Sequence, residues 1–134
     1  MTFTSVRIIT QNIGEVVQFY QLVTGREADW LTPLFAEIVT PAATIAIGSV
    51  ETVALFKPGS AEPASNRSVI LEFMVDDTDR EFTRLKHLVE LVHQPKDMPW
   101  GNRTVQFRDP DGTLVSLYTP VTEAAKQRFA QRCK

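Results

Sequence analysis

The chain is nearly free of cysteine. Cys133, beside the C-terminus, is the single one among 134 residues. With no intrachain partner it rules out a disulfide framework and reads as inert, and a reducing compartment suits the sequence best. No 18 apolar residues occur together, and Met1 to Thr10 lacks the basic region and apolar run of a signal peptide. A soluble cytoplasmic protein with no membrane contact is therefore expected. Charge of one sign is missing too. Fourteen Lys and Arg against sixteen Asp and Glu leave a formal net charge of -2, no footprint for nucleic acid. Histidine is scarce. His87 falls between Leu85 and Leu88 of a predicted helix with no second donor three or four residues away, and His93, at a strand end, is the one placed to reach a pocket. No nucleophile with an adjacent base can be read, which excludes an obvious catalytic triad or dyad.

What is present is ordinary in composition and unusual in arrangement. With 43% hydrophobic and 22% charged residues the chain reads as one globular domain over residues 1–134, able to remove roughly two thirds of its unfolded surface from water. A strand, a capped helix and three strands occur twice, in modules of about residues 1–57 and 67–120. In the first, Ser5 to Thr10 has strand character and Asn12 stands as N-cap before Ile13, Val16, Val17, Tyr20 and Val23 at helical spacing, with Gly25 as the stop. Strands are predicted at Phe35 to Val39, Thr44 to Ile47 and Thr52 to Phe56. Lys57 to Asn66, rich in Pro, Ser and Gly, reads as a linker. In the second module Val69 to Val75 is the strand and Asp77 the cap. Phe82, Leu85 and Leu88 form the helical stripe, and strands follow at Val89 to His93, Arg103 to Arg108 and Thr113 to Tyr118. The caps Asn12 and Asp77 stand 65 residues apart and the strand ends Phe56 and Tyr118 stand 62 apart, so the repeat is degenerate. A short helix over about residues 121–132 closes the chain. The fold class is α+β: two βαβββ modules forming a cup-shaped mixed sheet, plus a C-terminal helix.

Three segments carry a resemblance when taken in order: Asn12-Ile13 leading to Phe19-Tyr20, Val75-Asp76-Asp77 opening the second helix, and Pro99-Trp100-Gly101-Asn102-Arg103 running into Arg108-Asp109-Pro110-Asp111-Gly112. The last alone predicts only a tight turn. Together, over residues 4 to 120, they resemble the glyoxalase, bleomycin-resistance and extradiol-dioxygenase group, the vicinal-oxygen-chelate superfamily. Metal-dependent members place one ligand on the first strand and one on the last strand of each module. Those positions carry over to Ser5, Ala54, Ile70 and Ser116. None offers the imidazole, thiolate or carboxylate that a divalent ion needs, so the resemblance implies a cup with no metal and no cofactor.

Strand alternation assigns Val6, Ile8, Leu71, Phe73, Val75, Val105, Phe107, Val115 and Leu117 to the face under the helices. The opposite, cup-lining face takes Ser5, Arg7 and Ile9 on one wall and Ile70, Glu72 and Met74 on the other. Ala54, Phe56, Thr104, Gln106, Ser116 and Tyr118 form its floor and rim. Arg7 and Glu72 occupy equivalent places in the two repeats and are expected to meet, as ligand anchors or as a structural ion pair. Relatives with Pro-Trp-Gly before this strand place the indole at the pocket mouth, which implies a stacking role for Trp100. Trp30 reads as rim, dimer interface or core plug.

Three classes stay open. In the first, a homodimer holds a small-molecule ligand in the cup between the modules through Arg7, Phe56, Glu72, Trp100, Gln106, Ser116 and Tyr118. The second is a glyoxalase-like lyase or isomerase, or a dioxygenase, with a non-standard metal site, drawing on Glu37, Glu51 or Glu72, or with metal-free acid-base chemistry at Glu72 or His93. The third is an interaction module whose cup is filled by Ile9, Ile70, Met74 and Phe56.

Overall fold

The structure is a computed structural model that describes residues 1–132, so Cys133 lies outside the described residues. The chain divides into two compact units, one of Met1–Asn66 with Pro110–Gly112, the other of Arg67–Asp109 with the residues from Thr113 onward.

The first unit contains β1 (Ser5–Thr10), α1 (Ile13–Thr24), β2 (Asp29–Thr32), β3 (Phe35–Val39) and β4 (Thr44–Ser49). Its sheet runs β1-β4-β3-β2, with β1 parallel to β4 and the other pairs antiparallel. Val16, Val17, Tyr20 and Val23 of α1 are buried, as their spacing predicted, and so are Ala36, Ile38, Ile45 and Ile47 on the sheet. Each such apolar side chain contributes roughly 1.5–3 kcal/mol relative to exposure, which is what holds this short helix in place. Gly25 ends α1 at φ 68°, in the left-handed region, and its N–H donates to the carbonyl of Gln21.

Two readings of this module are corrected. The segment predicted as a strand at Thr52 to Phe56 is a 3-10 helix over Val50–Leu55. Ser49 accepts from the Glu51 N–H at 3.3 Å and the Thr52 hydroxyl donates to the Ser49 carbonyl at 2.7 Å, local bonds that compete with a sheet ladder. The third strand is instead β2, in the stretch Glu27 to Pro33. All four of its residues are exposed, so no alternation marked it, and Trp30 on it is 48% exposed and plugs no core.

The second unit holds β5 (Ile70–Met74), α2 (Thr78–Leu85), β6 (Glu90–Asp97), β7 (Asn102–Arg108), β8 (Leu114–Pro120) and α3 (Glu123–Arg132). Its sheet order, β5-β8-β7-β6, repeats the first, again with the outer first strand parallel to the last. Leu85 of α2 is buried, as are Val105, Phe107, Val115 and Leu117 of the sheet. The helix stops at Leu85, so His87 and the exposed Leu88 lie beyond it and not on its stripe. α3 starts two residues later than predicted because the N–H groups of Val121 and Thr122 both donate to the Gly101 carbonyl, at 2.9 and 3.3 Å. No helix among the described residues is long and apolar enough to cross a membrane.

The two N-caps differ. Asp77 accepts from the Arg80 N–H at 3.1 Å, whereas Asn12 makes no side-chain cap and its own N–H donates to Thr10 Oγ1 at 3.0 Å. Asp77→Ala should therefore lower unfolding free energy by ~1 kcal/mol in urea titrations. Asn12→Ala should change it by only a few tenths.

Candidate functional site

The helix-free face of the second sheet is built row by row from its register. Glu72 pairs with Ser116, Ser116 with Gln106, and Gln106 with His93, so these four side chains cross the sheet in one line. The next row runs Met74, Tyr118, Thr104 and Lys96. A cavity of about 260 Å³ opens on these two rows, lined by all but Met74 of them and closed at one side by Met98, Trp100 and Asn102.

Polar contacts orient the floor. Gln106 donates through Nε2 to Ser116 Oγ at 2.9 Å, which leaves its carbonyl oxygen as an acceptor. His93 Nδ1 lies 2.7 Å from the Gln94 carbonyl; a carbonyl only accepts, so Nδ1 carries the proton and Nε2 of the neutral ring is an acceptor. Ser116 and Thr104 are buried, while Glu72 and Lys96 are exposed and form no ion pair among the described residues.

The wall carrying Trp100 is a braced turn. Met98 N–H donates to the Asn102 carbonyl at 2.8 Å and Gly101 N–H to the Met98 carbonyl at 2.9 Å. Arg128 of α3 donates to the Trp100 carbonyl at 2.8 Å, and Trp100 is 59% exposed. Gly101 sits at φ 97°, and a Cβ there would collide with Thr122 Oγ1 and stand 3.0 Å from Ala125 Cβ. On the sheet's other face Arg103 forks onto Asp79 at 2.8 and 3.0 Å and reaches Asp97 at 3.1 Å, tying β7 to α2 and β6. These hydrogen bonds hold the Asp79 carboxyl below its ordinary value of 3.8 and push the Arg103 guanidinium up.

Of the sequence-predicted site residues, Glu72, Trp100, Gln106, Ser116 and Tyr118 line this one cavity. Arg7 and Phe56 belong to the first unit, where the Arg7 guanidinium lies 4.5 Å from the Phe35 ring centre and 5.7 Å from that of Phe56. Phe56 follows the 3-10 helix, 74% exposed, and not on a strand floor. Lys96, Met98 and Asn102 were not foreseen. Ala54 also leaves the list of strand positions. The pairing of Arg7 with Ala46 matches that of Glu72 with Ser116, so the last-strand counterpart of Ser116 is Ala46. The corrected set, Ser5, Ala46, Ile70 and Ser116, still lacks any imidazole or carboxylate and does not fit a divalent ion. Among the described residues no three His, Cys, Asp or Glu side chains gather as a metal-binding group.

Two outcomes follow for the braced wall. Gly101→Ala should destabilise the protein by ~2 kcal/mol or more and alter Trp100 emission. For Asp79, whose carboxyl is depressed in the folded state, the contribution is present above the unfolded pKa of about 3.9 and is lost as pH falls through the folded value. Asp79→Asn should thus lower the thermal midpoint at neutral pH, and the gap between the two midpoints should begin to narrow below about pH 4 and close only below the folded value.

A sequence profile of the Glyoxalase/Bleomycin resistance protein/Dioxygenase superfamily matches residues 2–117. The uncharacterized protein YraH of Bacillus subtilis (strain 168) is 25% identical over 125 residues, covering 88% of this chain and 98% of YraH. Among solved structures, a glyoxalase/bleomycin resistance protein/dioxygenase from Nocardioides superposes with a TM-score of 0.76 at 23% identity, over 92% of this chain and 85% of that one. A family enzyme from Burkholderia phytofirmans PsJN gives 0.78 at 20% identity, over 88% and 98%. These two likenesses show the fold.

Proposed function

Because the chain belongs to the Glyoxalase/Bleomycin resistance protein/Dioxygenase superfamily, we propose that it binds a small molecule without a metal ion, on the cavity face of the second unit. The observation that carries this reading is the cross-strand row Glu72, Ser116, Gln106 and His93 in a cavity of about 260 Å³. Such a volume lies just below the usual range of ligand pockets, and its few oriented polar groups beside Trp100, Met98 and Tyr118 are the usual makings of one. The unsuitable chemistry of Ser5, Ala46, Ile70 and Ser116 supports metal independence. Arg7, stacked on Phe35 and Phe56, serves as the polar anchor of the first unit's corresponding face. A cytoplasmic homodimer is the assembly this reading carries, with β2 and β6 as outer sheet edges that favour pairing.

A second reading has one observation in its favour. The His93 tautomer leaves Nε2 as a base in a cavity that also holds Glu72 and Tyr118, an arrangement suited to metal-free proton transfer. His93→Gln tests this second reading: turnover of a compound that the unsubstituted chain converts should fall at least about 100-fold, and turnover that survives the substitution would remove His93 as the base.

The primary reading is tested in two steps. Loading with Ni, Zn, Mn or Fe(II), desalting and elemental analysis should leave well under one ion per chain; retention of about one would overturn metal independence. In a Trp30→Phe background Trp100 is the sole tryptophan, and a fragment library of planar small molecules should yield compounds that quench it. Affinities should fall about tenfold in Gln106→Ala and Tyr118→Ala, equivalent to ~1.4 kcal/mol. Quenching unaltered in both variants would place the ligand elsewhere.

A further inference from the structure

We infer that the second unit's cavity selects an ampholyte, a small molecule with a planar body, a cationic group at one end and an anionic group at the other. This deepens the ligand-site reading above and rests on it.

The argument starts from the ends of the sheet. Glu72 stands on β5 and Lys96 on β6, the two outer strands of a four-stranded sheet. Three inter-strand spacings and the offset of one row along the strands put their backbones ~16 Å apart, and their side chains reaching inward shorten the gap to the length of a small molecule. Both line the same cavity. Neither has an ion-pair partner among the described residues, although other charges close by do. Asp97 and Arg103, next to Lys96 in the fold, satisfy one another at 3.1 Å, and Asp79 completes that cluster. The cavity is therefore left with one uncompensated anion at its β5 end and one uncompensated cation at its β6 end.

Between them the floor is neutral. Ser116, Gln106, Thr104 and Tyr118 offer hydrogen bonds without net charge, while Trp100 offers a flat apolar surface. A molecule with a single charge matches one end and presents nothing to the other. An ampholyte oriented cation to Glu72 and anion to Lys96 meets complementary potential along its whole length.

The test uses three compounds that share a benzene ring: 4-(2-aminoethyl)benzoate, with both charges, 4-ethylbenzoate, with the anion alone, and 2-phenylethylamine, with the cation alone. Each is titrated into the full chain while the Trp100 indole N–H and the cavity amides are followed by NMR. The doubly charged compound should bind at least about tenfold more tightly than either relative. Glu72→Gln should erase its advantage over 4-ethylbenzoate, and Lys96→Met its advantage over 2-phenylethylamine. Both residues are exposed, and unchanged far-UV circular dichroism verifies that the variants fold. Equal binding of all three at the cavity amides would overturn charge selection while leaving the ligand-site reading intact. Binding by none of them, or an advantage that survives both substitutions, would overturn it as well, and the fragment screen then decides the ligand-site reading separately.

Discussion

β8 is hydrogen-bonded to β5 on one side and to β7 on the other, and its register decides which side chains share each face of the second sheet. Two local devices pin that register. At the β7–β8 turn, Asp109 N–H donates to the Thr113 carbonyl and Thr113 N–H to Asp109 Oδ1, both at 2.9 Å, around Gly112 at φ 90°. At the opposite end the Thr119 hydroxyl donates to the Val75 carbonyl at 2.9 Å and accepts from the Thr78 N–H at 3.1 Å, which ties the strand to the start of α2. A slip of one residue would turn Ser116 and Tyr118 under the helix and expose Val115 and Leu117, now fully buried. Losing those two burials alone would cost ~3–6 kcal/mol, so the site's polar row is a by-product of the core's pattern.

The same logic explains how far the sequence could be read. Where apolar and polar residues alternate over both flanking turns, as in Leu71 to Val75 and Val105 to Phe107, the helix-facing side was legible and with it the line of Glu72, Gln106 and Ser116. In the first module the run Thr52 to Phe56 has the composition of a strand. The signal against it is Ser49 followed by Glu51, a helix-start pattern, and Ser49 does act that way. Mistaking the run for the last strand displaced the expected metal position from Ala46 to Ala54. The chemical conclusion survived because alanine stands at both.

β6 shows a different limit. His93 and Lys96 are an odd number of residues apart, so strict alternation puts them on opposite faces. Register irregularities between Leu91 and His93 and between His93 and Lys96 restore both to the cavity side. The strand expected at Val89 to His93 runs on through Pro95 to Asp97, because β6 is an edge with one hydrogen-bonded neighbour, where a missing N–H is tolerated. Lys96, Met98 and Asn102 were invisible as site residues because their placement depends on bulges and a glycine turn, and neither has a periodic signature.

The two modules repeat one topology and treat the same face differently. In the first, the row equivalent to Glu72, Ser116, Gln106 and His93 is Arg7, Ala46, Glu37 and Asp29. Gly48 there lies under Ile9 and Phe35, whose side-chain atoms stand 3.4 and 3.8 Å from where a Cβ would be. The 3-10 helix then leads to Phe56, stacked with Phe35 on the Arg7 guanidinium. In the second module the equivalent of Gly48 is Tyr118, that of Phe35 is Thr104, and that of Ile9 is Met74, which is left partly exposed. Exchanging phenylalanine for threonine removes the aromatic ring that stacks on Arg7 in the first face. The chain there continues into α3 and not back over the sheet, because Val121 and Thr122 are held at the Gly101 carbonyl. An arginine stacked on two phenylalanines in one repeat and a lined cavity in the other thus trace to a few residue choices on identical strand pairings.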